Sequence, residues 1–118
     1  MMRIVDRNNK IKMSELKKIA EQMFDILVKG VVDIEKEIMV IGGELHSDEE
    51  ALLLENGSSP ENLWGINLYP EQKENFIEFD SVINIKPSFG NKSRDVESIE
   101  IKEKIKKIIN ELVIDDVL

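Results

Sequence analysis

Two alternating segments, 63–69 and 76–85, constrain the fold more than anything else in the chain. Pro70-Glu71-Gln72-Lys73-Glu74-Asn75 separates them. If Tyr69 pairs with Phe76, the numbers of paired positions sum to 145. Leu68 then faces Ile77, Ile66 faces Phe79 and Trp64 faces Ser81, which makes one apolar side. On the other side Asn67 faces Glu78, Gly65 faces Asp80 and Leu63 faces Val82. A single register sorts both strands into an apolar and a polar face, whereas a slip of one residue would mix them. This predicts an antiparallel hairpin with one face on a core.

The remaining segments fit around it. Met2 and Ile4 alternate with Arg3, giving a short strand over 2–6 that Asn8-Asn9 ends. Leu16, Ile19, Ala20, Met23, Phe24 and Leu27 recur at helical spacing. They predict a helix over 14–29, with Ser14 as N-cap and Gly30 as C-terminal cap. Residues 31–42 fit either a continuation of that helix or a hairpin, 31–35 with 38–45, turning at Lys36-Glu37. Dense β-branched residues and the cost of a mid-helix Gly, about 1 kcal/mol, favour the hairpin. Lys-Glu is nonetheless poor chemistry for a two-residue turn. Residues 47–57 carry helix signals, with Ser47 and Glu50 as a capping box and Gly57 past the end. A strand through Leu52–Glu55 is the alternative. A long loop over 86–97 precedes a helix over 99–113, capped by Ser98. Its buried stripe is Ile101, Ile105, Ile108, Ile109 and Leu112, and Glu100–Lys104 and Glu103–Lys107 are favourable i,i+4 pairs. The tail 114–118 is apolar enough to dock on a surface or a second subunit.

The expected fold class is α+β, one domain over 1–118. An antiparallel sheet of about four or five strands carries an N-terminal and a C-terminal amphipathic helix packed on one face. The polar face, with Asn67, Glu78, Asp80 and Asn84, is expected to look to solvent or to a partner.

Composition removes several function classes. The chain has 118 residues, a formal net charge of −8, no Cys and one His. It has no disulfide framework, no thiolate nucleophile and no multi-histidine metal cage. Net acidity and the lack of basic patches with interleaved aromatics argue against nucleic-acid binding. No stretch reaches the roughly 20 apolar residues of a membrane span, and the first residues lack a signal-peptide pattern. A cytoplasmic protein is the expectation.

Two clusters carry candidate chemistry. Lys86, Ser88, Asn91, Ser93 and Arg94 form a locally basic loop before a helix, with Lys92 between them. Small polar residues, backbone N–H groups and an Arg fork can cradle an anion there. The loop lacks phosphate-loop spacing, and Arg94 can instead pair with Asp80 or Glu78 on the sheet. Asp80 and Asn67 on the polar face complete the candidate ligand site, and Gly65 leaves a gap beside them. The second cluster is Glu44, His46, Asp48 and Glu49; Glu44 and His46, with a third carboxylate from Asp80 or Glu78, make a candidate divalent-metal set of imidazole and carboxylate donors. No other cofactor is expected. Catalysis has no positive motif, so an enzyme is the least favoured class.

Several motifs also carry a resemblance. These are Gly42-Gly43-Glu44-Leu45-His46, Leu63-Trp64-Gly65-Ile66-Asn67-Leu68-Tyr69-Pro70 and Ile83-Asn84-Ile85-Lys86-Pro87-Ser88. Together they resemble a family of small, single-domain prokaryotic proteins of unknown function. The resemblance implies one cytoplasmic domain and supplies no activity. The leading expectation is binding of a small anion or phosphoester through the 86–94 loop and the polar sheet face. The alternatives are an interaction module or homodimer, and then a small enzyme built on His46 and carboxylates.

Overall fold

The computed structural model describes residues 1–117. In chain order its elements are β1 (Arg3–Val5), β2 (Ile11–Lys12), α1 (Met13–Gln22), β3 (Val28–Asp33), β4 (Ile38–Ile41) and α2 (His46–Glu55). There follow β5 (Leu63–Leu68), β6 (Ile77–Glu78), α3 (Ile99–Leu112) and β7 (Val113–Ile114). The main sheet has the order β1-β4-β3-β5-β6, and every pairing in it is antiparallel. The fold is α+β with a five-stranded antiparallel sheet and three helices.

The β-branched run after Gly30 forms strand, and it begins earlier than the sequence suggests. The helix expected over 14–29 ends at Gln22, and Gly30 lies inside β3 between Ile41 and Ile66 rather than capping a helix. As the central strand, β3 gains a partner on each side. That outweighs extending a helix that must contain Gly30. Asp25, with φ of 71°, turns the chain between the two elements. The N-cap of α1 is Lys12 rather than Ser14, and the Glu15 carboxylate accepts the Lys12 N–H at 3.2 Å. Ser14 instead donates to Asp116 through both its amide and its hydroxyl.

The 31–42 hairpin is present. Its turn takes four residues, 34–37, with Glu37 at φ 58°. The Asp33 carboxylate caps this turn by accepting the N–H groups of Glu35 and Lys36, so no Asn-Gly pair is needed. Residues 46–55 are helical, resolving the choice left open there. The Ser47–Glu50 capping box does not form, because the N-cap falls two residues earlier, at Leu45.

The β5–β6 register is the one that sums to 145: Asn67 pairs with Glu78 and Leu68 with Ile77. Tyr69 N–H donates to Phe76 O at 2.8 Å. The second strand stops at Glu78, however, and 82–84 and 87–89 form 3-10 turns. The reason lies in Asn84. Its amide accepts Gly65 N–H at 2.7 Å and donates to Gly65 O at 2.9 Å. One side chain thus replaces the strand expected opposite Gly65. A Cβ on Gly65 would lie 2.5 Å from Ser81 Cβ, so this glycine admits the turn.

Both sheet faces are covered. One core joins Val32, Met39, Ile41, Trp64, Ile66 and Leu68 with Leu16 and Ala20 of α1 and with Ile105, Ile108, Ile109 and Leu112 of α3. The other joins Val31, Val40 and Leu63 with Leu53 of α2. The face expected to be polar and open is therefore corrected: Asn67 is only 7% exposed and Asn84 is buried. Sequence reading missed this because α2 shows no clean apolar stripe. The i,i+4 pairs expected on α3 are also corrected, since Glu103 pairs with Lys106 at 3.4 Å. The tail docks on its own chain, β7 running parallel to β2. Leu118, part of that tail, lies outside the described residues.

Candidate functional site

The 86–94 loop spends its donors on itself. Asn91, 4% exposed, donates to the carbonyls of Asn84, Ser93 and Asp95, and its Oδ1 accepts Glu97 N–H. Lys92 N–H and the Ser93 hydroxyl both donate to the Glu97 carboxylate, at 2.9 and 2.8 Å. Those two bonds hold the Glu97 carboxyl below its usual range, the Ser93 hydroxyl contributing most. An internal carboxylate thus sits where a bound anion was expected. Lys86 is buried, with its ammonium 2.9 Å from Pro60 O and 5.3 Å from the centre of the Trp64 ring. Burial lowers its pKa. Ser88 is exposed on the 87–89 turn.

Arg94 leaves the loop for the sheet. Its Nε donates to Asp80 Oδ1 at 2.6 Å, and both side chains are about half exposed, at 55% and 46%. An ion pair this accessible contributes about 1 kcal/mol or less. Its backbone carbonyl accepts from Asn84, which ties Arg94 to β5.

The helix α2 supplies the rest. His46, in its first turn, is half-buried, and Nε2 donates to Ile66 O at 2.8 Å. A carbonyl only accepts, so Nε2 carries the proton. Burial lowers the His46 pKa, which favours the neutral ring and leaves Nδ1 as a lone pair. The charges of Lys29, Asp80 and Arg94 all bear on this ring. Asn67, next to Ile66 in the chain, donates from Nδ2 to Glu78 Oε1 at 2.8 Å and to Asp80 O at 3.3 Å. Its Oδ1 is buried and has no partner. His46, Asn67, Asp80 and Arg94 are therefore neighbours at one end of the sheet. Glu44 is exposed on the approach to α2. Among the described residues no three His, Asp or Glu side chains come together as a metal-holding group.

One residue here, Lys29, was not singled out by sequence, and another, Glu49, was read as an acid of the His46 cluster rather than as a buried group. Lys29 is the register partner of Asn67 across β3–β5 and makes no ion pair among the described residues. Its ammonium lies 4.8 Å from the centre of the Phe24 ring. Glu49, one turn after His46, is 0% exposed. Its Oε2 accepts Gly43 N–H at 3.0 Å, and its Oε1 has no partner. Burial pushes its pKa up to about 9. The i,i+3 spacing of His46 and Glu49 was the available signal, but it places them on one face only once 46–55 is known to be helix.

Grooves elsewhere do not involve these residues. One of 610 Å³ lies between Met13, Pro70, Phe76 and Val117. No helix among the described residues is long and apolar enough to cross a membrane.

Fold and site together define a small α+β protein with a polar cluster where a helix start meets an antiparallel sheet. The chain belongs to the family described as "Protein of unknown function (DUF5674)", whose family model matches residues 4–112. No curated protein and no solved structure matches the chain.

Proposed function

We propose that this chain is a binding protein for a small ligand bearing an anionic group, and that the ligand sits at the α2 end of the sheet beside His46, Asn67, Asp80 and Arg94. One observation carries the reading: His46 holds Ile66 O, the adjacent Asn67 reaches Asp80 O, and Asp80 holds Arg94, so residues far apart in sequence meet beside a single half-buried imidazole. Lys29, free of any ion pair among the described residues, and Arg94, held only by an exposed carboxylate, are the cations for the anion. Releasing Arg94 from Asp80 costs little. The 86–94 loop serves this site as scaffold, since Asn91 and Asn84 fix the backbone from which Arg94 projects. In this reading α1 and α3 lie together on the opposite face, and the ligand sits at the start of α2, where His46 is half-buried and Asp80 and Arg94 are part-exposed. The test is a titration with inorganic phosphate or acetate, followed by the NMR signals of the single His. The ring signals shift with millimolar affinity, and Lys29→Met and Arg94→Met each weaken the effect. An imidazole spectrum indifferent to both anions rejects the reading.

A second reading, self-association, is favoured by the exposure of Val82 (63%) and Phe89 (58%) on the turns after β6, and of Ile99 at the start of α3. Large exposed apolar side chains mark interfaces where they form a contiguous patch. Sedimentation equilibrium of the wild type and of Phe89→Ser decides it. A dimer that the substitution dissociates supports it, and a monomeric wild type excludes it.

A further inference from the structure

The sheet order leaves β6 at an edge, paired with β5 alone. Tyr69 N–H donates to Phe76 O, so positions 69 and 76 are a hydrogen-bonded pair of the antiparallel ladder. Such pairs alternate with non-bonded ones. Leu68–Ile77 is therefore non-bonded, and Ile77 turns its N–H and C=O away from β5. No other backbone group among the described residues bonds to them.

This free edge opens into a groove of about 480 Å³ whose other wall is α3. Phe76, Ile77 and Phe79 line it on the strand side, and Lys102, Lys106 and Asn110 on the helix side. The helix residues are four apart, so they form one row along α3. That row spans about 12 Å, the length of three or four extended residues. Lys73, from the β5–β6 turn, also lines the groove. Its lining thus holds three cations and no acid, in a chain of net charge −8. Lys73 makes no ion pair among the described residues. Lys102 and Lys106 hold Asp95 and Glu103, whose side chains are 52% and 65% exposed. Pairs so accessible exchange for another carboxylate at little cost. Lys102 Nζ also lies 5.4 Å from the centre of the Phe79 ring, which keeps this cation against the strand side of the groove. Sheets commonly blunt an edge with charge on the edge strand itself. Here the one charged residue of β6, Glu78, spends its carboxylate on Asn67 and Tyr69.

We propose that the β6–α3 groove is a docking surface for an extended acidic segment of another protein, which adds as a further strand beside β6. Main-chain bonds to Ile77 N–H and O fix the segment, and its alternate side chains carry carboxylates to Lys73, Lys102 and Lys106. A second copy docked β6 to β6 would set the two groups of lysines against each other, which disfavours that occupant. The groove shares no residue with the α2-end site, so either can fail without the other.

The probe is a blocked pentapeptide of alternating glutamate and valine with glutamate at both ends. Binding is followed by the amide NMR signals of Ile77 and Lys102 and by hydrogen exchange at Ile77. The wild type is expected to bind at sub-millimolar peptide and to slow exchange of the Ile77 amide. The double variant Lys102→Met, Lys106→Met binds about tenfold more weakly at an unchanged melting temperature. Successive amides of a strand point to opposite edges. Of two peptides, N-methylated on the central glutamate or on the valines, one therefore loses about tenfold and the other retains its affinity. No binding at millimolar peptide overturns the proposal. Equal loss or equal retention in the two methylated forms shows contact without strand addition and overturns it too, as does equal binding of a peptide with lysine in place of glutamate. Glutarate acting at the same concentration as the peptide would make this a small-anion site, and tighter binding of oligothymidylate a nucleic-acid site. Either result overturns the peptide assignment.

Discussion

Glu49 is a carboxyl enclosed without a cation in contact, and that has a measurable cost. Its pKa is near 9 in the fold, against 4.5 for the free side chain, so the native state holds a proton that the unfolded chain releases. Its contribution to stability is whole below about pH 4.5 and declines as pH rises towards 9, by up to about 1.4 kcal/mol per pH unit. His46 works in the opposite direction. Burial holds its pKa below 6.5, so stability falls as pH drops through that region and the ring must charge. Urea unfolding from pH 5 to 9 should therefore show a decline on the alkaline side that Glu49→Gln abolishes. A parallel profile in the variant would show that Glu49 is ionised in the fold. Gly43→Ala is expected to destabilise by about 1–3 kcal/mol, because the new methyl meets Glu49 Cγ. His46 was legible in the sequence as chemistry. Glu49 was legible as an acid of the His46 cluster at a helix start but not as a buried group, because burial is decided by where the sheet lies and not by neighbours in the chain.

At the scale of elements, local pattern succeeded where partners are local and failed where they are not. The β5–β6 register followed from two adjacent segments, and it holds. The end of β6 did not follow, since it depends on the Asn84 side chain taking the place of a strand. Asn84→Ala leaves Gly65 N–H and O without their partner in a buried setting. It should cost about 3 kcal/mol in chemical denaturation and expose the Gly65 amide to hydrogen exchange. Unchanged exchange at Gly65 would mean that another group takes over. The 14–29 segment was misread because its apolar residues fit a helical stripe, while the pairing of β3 with both neighbours lies far along the chain. Gly30→Ala separates the two readings. In β3 a Cβ at this position meets only ordinary contacts of 3.5 Å or more, so the substitution is expected to be neutral or to stabilise by up to about 1 kcal/mol. As the left-handed cap of a helix, Gly30 would resist Ala, and a loss of stability would contradict the strand.

For the whole molecule, the order β1-β4-β3-β5-β6 explains how the candidate site assembles. Pairing β3 directly with β5 brings Lys29 beside Asn67. The β5–β6 turn brings Glu78 and Asp80 to the same end, the 81–94 segment returns with Arg94, and α2 lays His46 across β5. The sequence showed His46, Asn67, Asp80 and Arg94 as separate candidates. Their convergence is a property of topology, and so is the burial of the sheet face that was expected to be open. The net charge of −8 leaves this cluster alone. Lys29 and Arg94 stand against Glu78 and Asp80, with His46 and Glu49 neutral, so the site does not share the acidity of the surface. The single His makes the central claim directly measurable. NMR titration of its ring in the wild type, Asp80→Asn and Arg94→Met reads the surrounding charges one at a time. The wild-type pKa should lie below 6.5, fall further in Asp80→Asn and rise in Arg94→Met. A ring that titrates identically in all three proteins would place Asp80 and Arg94 away from His46 and contradict the site.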